Sequence, residues 1–491
     1  MLTFNCLCVI IFNDTLKRCS KGALLRGIFC GDNAPFKYYI FTKNVNALNI
    51  KAQKKGLNYM SVKIGGVRLP HHKSTENNAT ADFPLPKKLI LPMAQCMGAP
   101  CTPLVKKGDE VTVGMKIGDS NKPMSVPVHS PASGKVSEIT DWRLSNGSCC
   151  KAVIIETDGL QTLCPDIKPP VVTDRKSFLE AVRESGCCGL GGAGFPTHIK
   201  LGFDPEKTPI DTLLVNGAEC EPYITSDYRE FVEAPEDVID GISYIMKMLE
   251  IPSCKIGIEA NKPKAIADMK KRTAEKKNIE VVSLPSTYPQ GAEKVLIYTA
   301  TGRIVAEGEL PAHQGVIVMN VSTIAFLIRY FRTGMPLISK RLTIDGTAVT
   351  KNSGNYRVLV GTPASELLEY CGAIECDKVL YGGPMMGMAL DNADRPVIKV
   401  NNAILAFKDI PERKTTSCIR CGRCVRACPV KLMPVSLESA YDRGDIYELE
   451  RLKVRLCINC GCCSYVCPAN RRLAEKNQLA KGLLMNAAKR K

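Results

Sequence analysis

The chain has 491 residues, 45% of them apolar and 23% charged, which allows about three globular domains. No stretch approaches the roughly 18 consecutive apolar residues of a helical membrane span, so the sequence itself excludes an integral helical membrane protein. The net charge of +17 is concentrated at the two ends, which argues against a nucleic-acid groove on a folded domain.

Residues 1–59 have nine Lys/Arg and two acids, with scattered Cys and Asn and no strand–turn rhythm. They read as an atypical extension outside the functional fold, either a disordered tail or residues of a mis-assigned start. No basic region precedes the short apolar run at 7–12, so no export signal is read and a cytosolic chain is expected. In that setting 24 cysteines point to metal or redox chemistry rather than disulfides.

Residues 60–165 read as a β module. "TPLVKKGDEVTVGMKIGD" alternates apolar and polar residues and is broken by Gly108, Gly114 and Gly118, and "SVPVHSPASGKVSEI" follows with its own turn. The pattern predicts a barrel-sandwich of the lipoyl type. It presents no lysine in a carrier-like hairpin, so a structural module is expected.

Residues 170–335 alternate helical and strand signals. "RKSFLEAVRESG" is amphipathic, "TLLVNGA" and "CKIGIEA" are strands, and "PEDVIDGISYIMKMLE" has helical period. An α/β domain with a largely parallel sheet is predicted. Within it "GCCGLGGAGFPTHIK" offers Gly189, Gly191, Gly192 and Gly194, where backbone can approach a ligand closely. No strand runs into a G-x-G-x-x-G, so the Rossmann fingerprint is absent. Glu219, Glu221, Asp227 and Arg229 follow a strand, at the sheet edge where α/β ligands bind.

Residues 336–410 read as a small α+β module with a "YGGPMMG" loop. Residues 411–470 carry two copies of C-x2-C-x2-C-x3-C-P. Three cysteines of each copy belong to a tight loop, and in two-cluster proteins the fourth ligates the other cluster. Cys418, Cys421, Cys424 and Cys467 are therefore assigned to one [4Fe–4S] cluster, and Cys457, Cys460, Cys463 and Cys428 to a second. Cys462 is out of register. Zinc would prefer paired C-x2-C units with a longer gap. Residues 471–491 read as a basic tail. The five histidines, His71, His72, His129, His198 and His313, are scattered, and no acid–base pair or nucleophile is evident.

"GLGGAGFPTHIK" at 189–200 and "VNGAECEPYITSDYRE" at 215–230 resemble the FMN- and NADH-binding subunit of respiratory complex I. From Met60 the chain resembles the C subunits of Rnf electron transport complexes more fully, through "YPQGAEKVLIYTATGR" (288–303), "GELPAHQGVIVMNVST" (308–323), "YGGPMMG" (381–387) and the doubled cluster motif. The resemblance implies FMN held by Gly189, Gly191, Gly192 and Gly194, with Lys200 near its phosphate or ribityl chain. It implies Asn216, Glu219 and Glu221 lining a flavin and nicotinamide pocket, and a β-grasp (SLBB-like) fold at 336–410. Complex I carries an Arg where Leu190 stands and an Asp where Ala218 stands, so the nicotinamide contacts differ.

The expectation is a multidomain α/β protein: barrel-sandwich, FMN/NADH domain, β-grasp module and an α-helical two-cluster ferredoxin-like domain. It implies an electron-input subunit that docks on the cytoplasmic face of the inner membrane. That subunit would work with other subunits of a complex coupling NADH–ferredoxin electron transfer to ion translocation. A soluble reductase of the same build, such as a microcompartment cobalamin reductase, and a cluster-only relay are the alternatives.

Overall fold

A computed structural model describes residues 64–489, except 145, 146 and 374. The extension at 1–59 lies outside the described residues. Strand β1 (Ala81–Asp82) is followed by β2 (Lys88–Pro92), β3 (Thr102–Pro103), β4 (Glu110–Val111), β5 (Lys116–Asp119), β6 (Val128–His129), β7 (Gly134–Arg143) and β8 (Cys149–Thr157). Two sheets, ordered β2-β8-β7-β4 and β3-β5-β6, enclose Leu89, Leu91, Ile117, Val136, Val153 and Ile155. This is the barrel-sandwich, and its alternating residues bury one face of each strand.

Strand β1 does not belong to it. It pairs in parallel with a strand of the β-grasp sheet, through Ala81 opposite Tyr356. Residues 64–82, which the sequence reading places in the barrel at 60–165, form a strap across the other modules. Val67 exchanges backbone hydrogen bonds with Tyr288, the Ser74 hydroxyl donates to Asp345 at 2.7 Å, and Asn355 donates to the Thr75 carbonyl at 2.9 Å. Nothing in the local pattern of "GGVRLPHHKSTENNA" announces these distant partners.

The central domain runs through α1 (Arg175–Glu184), α2 (Thr197–Leu201), β9 (Thr212–Gly217), α3 (Ser226–Glu233), α4 (Pro235–Leu249), β10 (Ser253–Glu259), α5 (Pro263–Arg272), β11 (Ile279–Leu284), α6 (Glu293–Thr301), β12 (Val316–Asn320) and α7 (Val321–Thr333). All four strands are parallel, in the order β11-β10-β9-β12. Leu213 and Val215 face a core built with α3, α4 and α7, while Leu214 faces α6 on the other side. The chain moves outward from β9 to β10 to β11 and then returns to place β12 on the far side of β9. The strand order therefore reverses between β9 and β12, and a crevice opens there at their C-terminal ends.

The β-grasp module contributes β13 (Ser339–Asp345), β14 (Gly354–Leu359), α8 (Ala364–Tyr370), β15 (Lys378–Tyr381), β16 (Met388–Ala389) and β17 (Ala403–Phe407), in a six-stranded sheet ordered β1-β14-β13-β17-β15-β16. The cluster module contains α9 (Arg423–Ala427), α10 (Pro434–Asp442), α11 (Ile446–Arg451), α12 (Cys462–Tyr465) and α13 (Leu473–Lys489). The segment read as a basic tail is thus mostly helix. Leu473, Asn477, Ala480 and Leu484 recur at helical spacing, all are buried, and Lys481 donates to the Cys457 carbonyl at 2.9 Å. The stripe includes only two leucines, so the charges at the end of the chain dominate its appearance as sequence.

Candidate functional site

The crevice is built from the last residues of β9 and β12. Asn216 and Asn320 are opposite each other in the final pair of that ladder. The Asn320 side chain accepts from Ser322 N at 3.0 Å and Thr323 N at 3.3 Å, capping α7. Its amide donates to Asp227 at 2.7 Å, and Asp227 also accepts from the Ser322 hydroxyl at 2.8 Å. The glycine loop lies directly over this helix start. Leu190 N donates to the Thr323 hydroxyl at 3.0 Å, the buried Lys340 ammonium donates to the Leu190 carbonyl at 2.9 Å, and a Cβ on Gly191 would come within 3.3 Å of the Asn320 side chain. Gly191, Gly192 and Ala193 are exposed, whereas Gly194 is buried against Val400. A glycine loop, a helix N-terminus and nearby lysines make a cradle for a phosphate.

The sequence-predicted residues take three positions around this crevice. Lys200 lies beside it, its ammonium 3.1 Å from both Glu293 and the Val318 carbonyl. Asn216 donates to the Gly291 carbonyl at 2.9 Å and accepts from Ala218 N at 3.1 Å. Glu219 and Glu221 turn inward. The buried Glu219 carboxylate accepts from Asp227 N at 2.7 Å and Tyr228 N at 3.3 Å, at the start of α3 where the helix dipole favours an anion. Glu221 accepts from Met385 N at 3.0 Å and Met386 N at 2.9 Å, holding the "YGGPMMG" loop, whose Gly383 backbone lies against it. Burial pushes both carboxyls up, opposed by Lys73 at Glu219 and by the two loop N–H groups at Glu221. What these glutamates give the crevice is position, because protein donors occupy their oxygens.

Sequence reasoning missed the residue that stiffens this turn. Lys73, on the strap, donates to the carbonyls of Glu219 at 2.9 Å, Glu221 at 2.8 Å and Ile224. Burial lowers its pKa, and Glu219 counteracts that. Asn320, Thr323 and Gln290 were missed as well. Only the position of Asn320, a capping residue between an apolar strand and a helix, was a usable signal. Gln290 is 3% exposed, with an amide nitrogen that has no protein partner, on the same turn as Gly291. A buried donor left open on the turn that Asn216 holds fits a bound flavin nucleotide.

The two cysteine motifs repeat in backbone as well as in sequence. Arg420 and Asn459, Gly422 and Gly461, and Lys431 and Asn470 occupy matching positions and all have positive φ. These turns direct backbone N–H groups at sulfur: Arg420 N is 3.4 Å from Cys418 Sγ, and Leu432 N is 3.3 Å from Cys428 Sγ. Cys428, Cys457, Cys460 and Cys463 line one cavity, together with Cys462, Val430, Leu432, Ile458 and Asn477. For the other four, Thr416 N donates to the Ala469 carbonyl at 3.0 Å, which ties the chain just before Cys418 to the chain just after Cys467. The first set is all thiol, is drawn from both motifs and has an apolar rim, all of which fits a cubane cluster. Cys418 and Cys421 are exposed, whereas Cys428, Cys460 and Cys463 are buried.

The buried motif touches the crevice. Gly291 N is 3.4 Å from Cys220 Sγ, and Cys220, Tyr288 and Met385 pack with Cys460 and Cys462.

Family models match the chain in three places: one described as a RnfC barrel sandwich hybrid domain over residues 62–160, a Nuo51 FMN-binding domain over 182–329, and a 4Fe-4S dicluster domain over 417–471. The chain is 41% identical over 396 residues to the C subunit of a proton-translocating ferredoxin:NAD(+) oxidoreductase complex of Clostridium ljungdahlii, covering 78% of this chain and 85% of that one. It is 41% identical over 392 residues to the Na(+)-translocating counterpart of Acetobacterium woodii, covering 77% and 87%. The C subunit of an ion-translocating oxidoreductase complex of Rhodobacter capsulatus is 38% identical over 437 residues, covering 87% and 84%.

Proposed function

The chain belongs to the family of C subunits of the Rnf-type ion-translocating ferredoxin:NAD+ oxidoreductase complexes, and on that premise we propose that it exchanges electrons with NADH through FMN and two [4Fe–4S] clusters. It is an oxidoreductase subunit of a membrane-associated complex that moves ions as electrons pass between ferredoxin and NAD+. No helix among the described residues is long and apolar enough to cross a membrane. A peripheral seat on the cytoplasmic face is favoured because that side supplies NADH.

FMN, when bound, takes two electrons as hydride and releases them singly. The protein holds and orients it. Gly189, Gly191, Gly192 and Gly194 shape the cradle, with the start of α7 beneath it and Lys200 offering a cation at its side. Asn216 and Gln290 present amides at the sheet edge, while Glu219 and Glu221 fix the turns that flank the crevice. Cys418, Cys421, Cys424 and Cys467 would hold the outer cluster, and Cys428, Cys457, Cys460 and Cys463 the inner one.

The observation that carries this reading is the unbroken packing from Asn216 through Gly291, Cys220 and Tyr288 to Cys460. It joins a nucleotide crevice to a cluster cavity without intervening solvent-exposed groups. The test is cofactor content after anaerobic purification. Roughly eight iron atoms and one FMN per chain are expected, with flavin absorbance bleached by NADH. Iron without flavin would leave a relay only. In Gly191→Val, FMN should be lost while iron stays, because the new side chain fills the cradle against Asn320.

A further inference from the structure

The cations around the outer cysteine motif are left unneutralised. Arg413, Lys414, Arg420, Arg423 and Arg426 are all exposed, and Glu412 is the one acid between 411 and 426. None of the five forms an ion pair among the described residues. Several cations elsewhere on the same module behave differently: Arg451 pairs with Glu448, Arg471 with Glu438 and Lys476 with Asp442. Lys431 and Arg455 are also exposed without an ion pair among the described residues, but the unpaired set is densest in the segment 413–426. At its centre are the exposed cysteines Cys418 and Cys421, and Ile419 is 68% exposed between them.

We propose that this face is the docking surface for an acidic, electron-carrying protein domain. The proposal rests on the reading that Cys418, Cys421, Cys424 and Cys467 hold a cluster. A ring of unpaired cations steers an anionic partner and raises its rate of encounter. An exposed apolar residue within a charged rim is the layout of a small transient interface. The face surrounds the cluster ligands that reach solvent, so a partner seated there is within electron-transfer reach. In the ferredoxin-oxidising direction the partner loses one electron, the outer cluster gains it, and no bond is made. A lipid surface fits less well, because it would need an amphipathic element with several apolar anchors, and this loop presents only Ile419.

The test uses the full, anaerobically purified holoprotein and a purified acidic two-[4Fe–4S] ferredoxin as probe. Affinity is measured by biolayer interferometry from about 50 to about 300 mM salt, a range over which surface charges become screened. Binding should weaken steeply with salt. R413E/K414E/R423E should weaken it roughly tenfold or more at low salt, and R413Q/K414Q/R423Q by less. These positions avoid Arg420 and Arg426, which shape the cluster loop. Iron and FMN content of each variant, with NADH bleaching of the flavin, shows that the chain is intact. Two full clusters with no salt-dependent binding overturn the docking surface alone. Loss of the outer cluster from the unmutated protein overturns it together with the reading beneath it. Phosphatidylglycerol vesicles captured through the same residues, with ferredoxin ignored, overturn it in favour of a membrane contact.

Discussion

Cys462 and Cys463 are sequence neighbours that line the same buried cavity, but only Cys463 is in register with the repeated ligand spacing. Cys463 belongs to the thiol group of the inner cavity, and burial pushes its pKa up to about 12, so a metal must displace its proton to bind. Cys462 is wholly buried, with its Sγ 3.8 Å from the Tyr288 carbonyl. Cys463→Ala should therefore lose about half of the iron. Cys462→Ala should keep all of it and lose about 1 kcal/mol of stability from the vacated sulfur. Iron analysis with thermal unfolding checks both, and iron loss in Cys462→Ala would overturn the ligand set. The cluster cysteines are legible in sequence because ligand spacing is local: a triple C-x2-C needs only one tight turn. Tyr288, Cys220 and Lys73 are not legible, because each acts on residues far along the chain and none has a motif of its own.

Among elements, the junction of three modules depends on one lysine. The Lys399 ammonium, 1% exposed, donates to the Pro127 carbonyl of the barrel at 2.6 Å and to the Gly186 carbonyl of the flavin domain at 2.8 Å. His129 on β6 is buried beside it, with Nδ1 unpartnered and facing Gly186. Burial, then the charges of Lys399 and Lys116, hold its pKa well below 6.5, and Asp119 opposes them. The sign follows. Above pH about 6.5 the ring is neutral folded or unfolded, and its contribution is complete. Below that, the unfolded chain binds a proton that the folded one refuses, so stability falls by up to about 1.4 kcal/mol per pH unit until the folded pKa is reached. Denaturant midpoints from pH 7.5 to pH 5 should show this slope, and His129→Gln should flatten it; an unchanged slope would place the acid sensitivity elsewhere. Sequence shows the barrel and the parallel sheet through their periodicity, but periodicity describes single elements. The strap at 64–82 and the Lys399 junction join elements, and a lone Lys in "VIKVNN" carries no sign of burial.

Across the whole molecule the two clusters are not equivalent. The inner cavity adjoins the nucleotide crevice through Cys220 and Tyr288, while the outer motif is presented to solvent. Electrons from NADH should therefore pass crevice, inner cluster, outer cluster, partner. An order imposed by packing makes the two losses asymmetric. In Cys421→Ala, NADH should still reduce the inner cluster. In Cys463→Ala, the outer cluster should remain loaded and reducible by dithionite, yet respond to NADH far more slowly than in the unmutated chain. Low-temperature EPR after freezing at set times after NADH addition distinguishes the cases. Equal NADH responses from the surviving cluster in both variants would mean that each cluster has its own path from the flavin. The contact through Tyr288 would then be structural rather than the route. Slow reduction confined to Cys463→Ala would leave the exposed basic face around Cys418 as the exit to the rest of the complex.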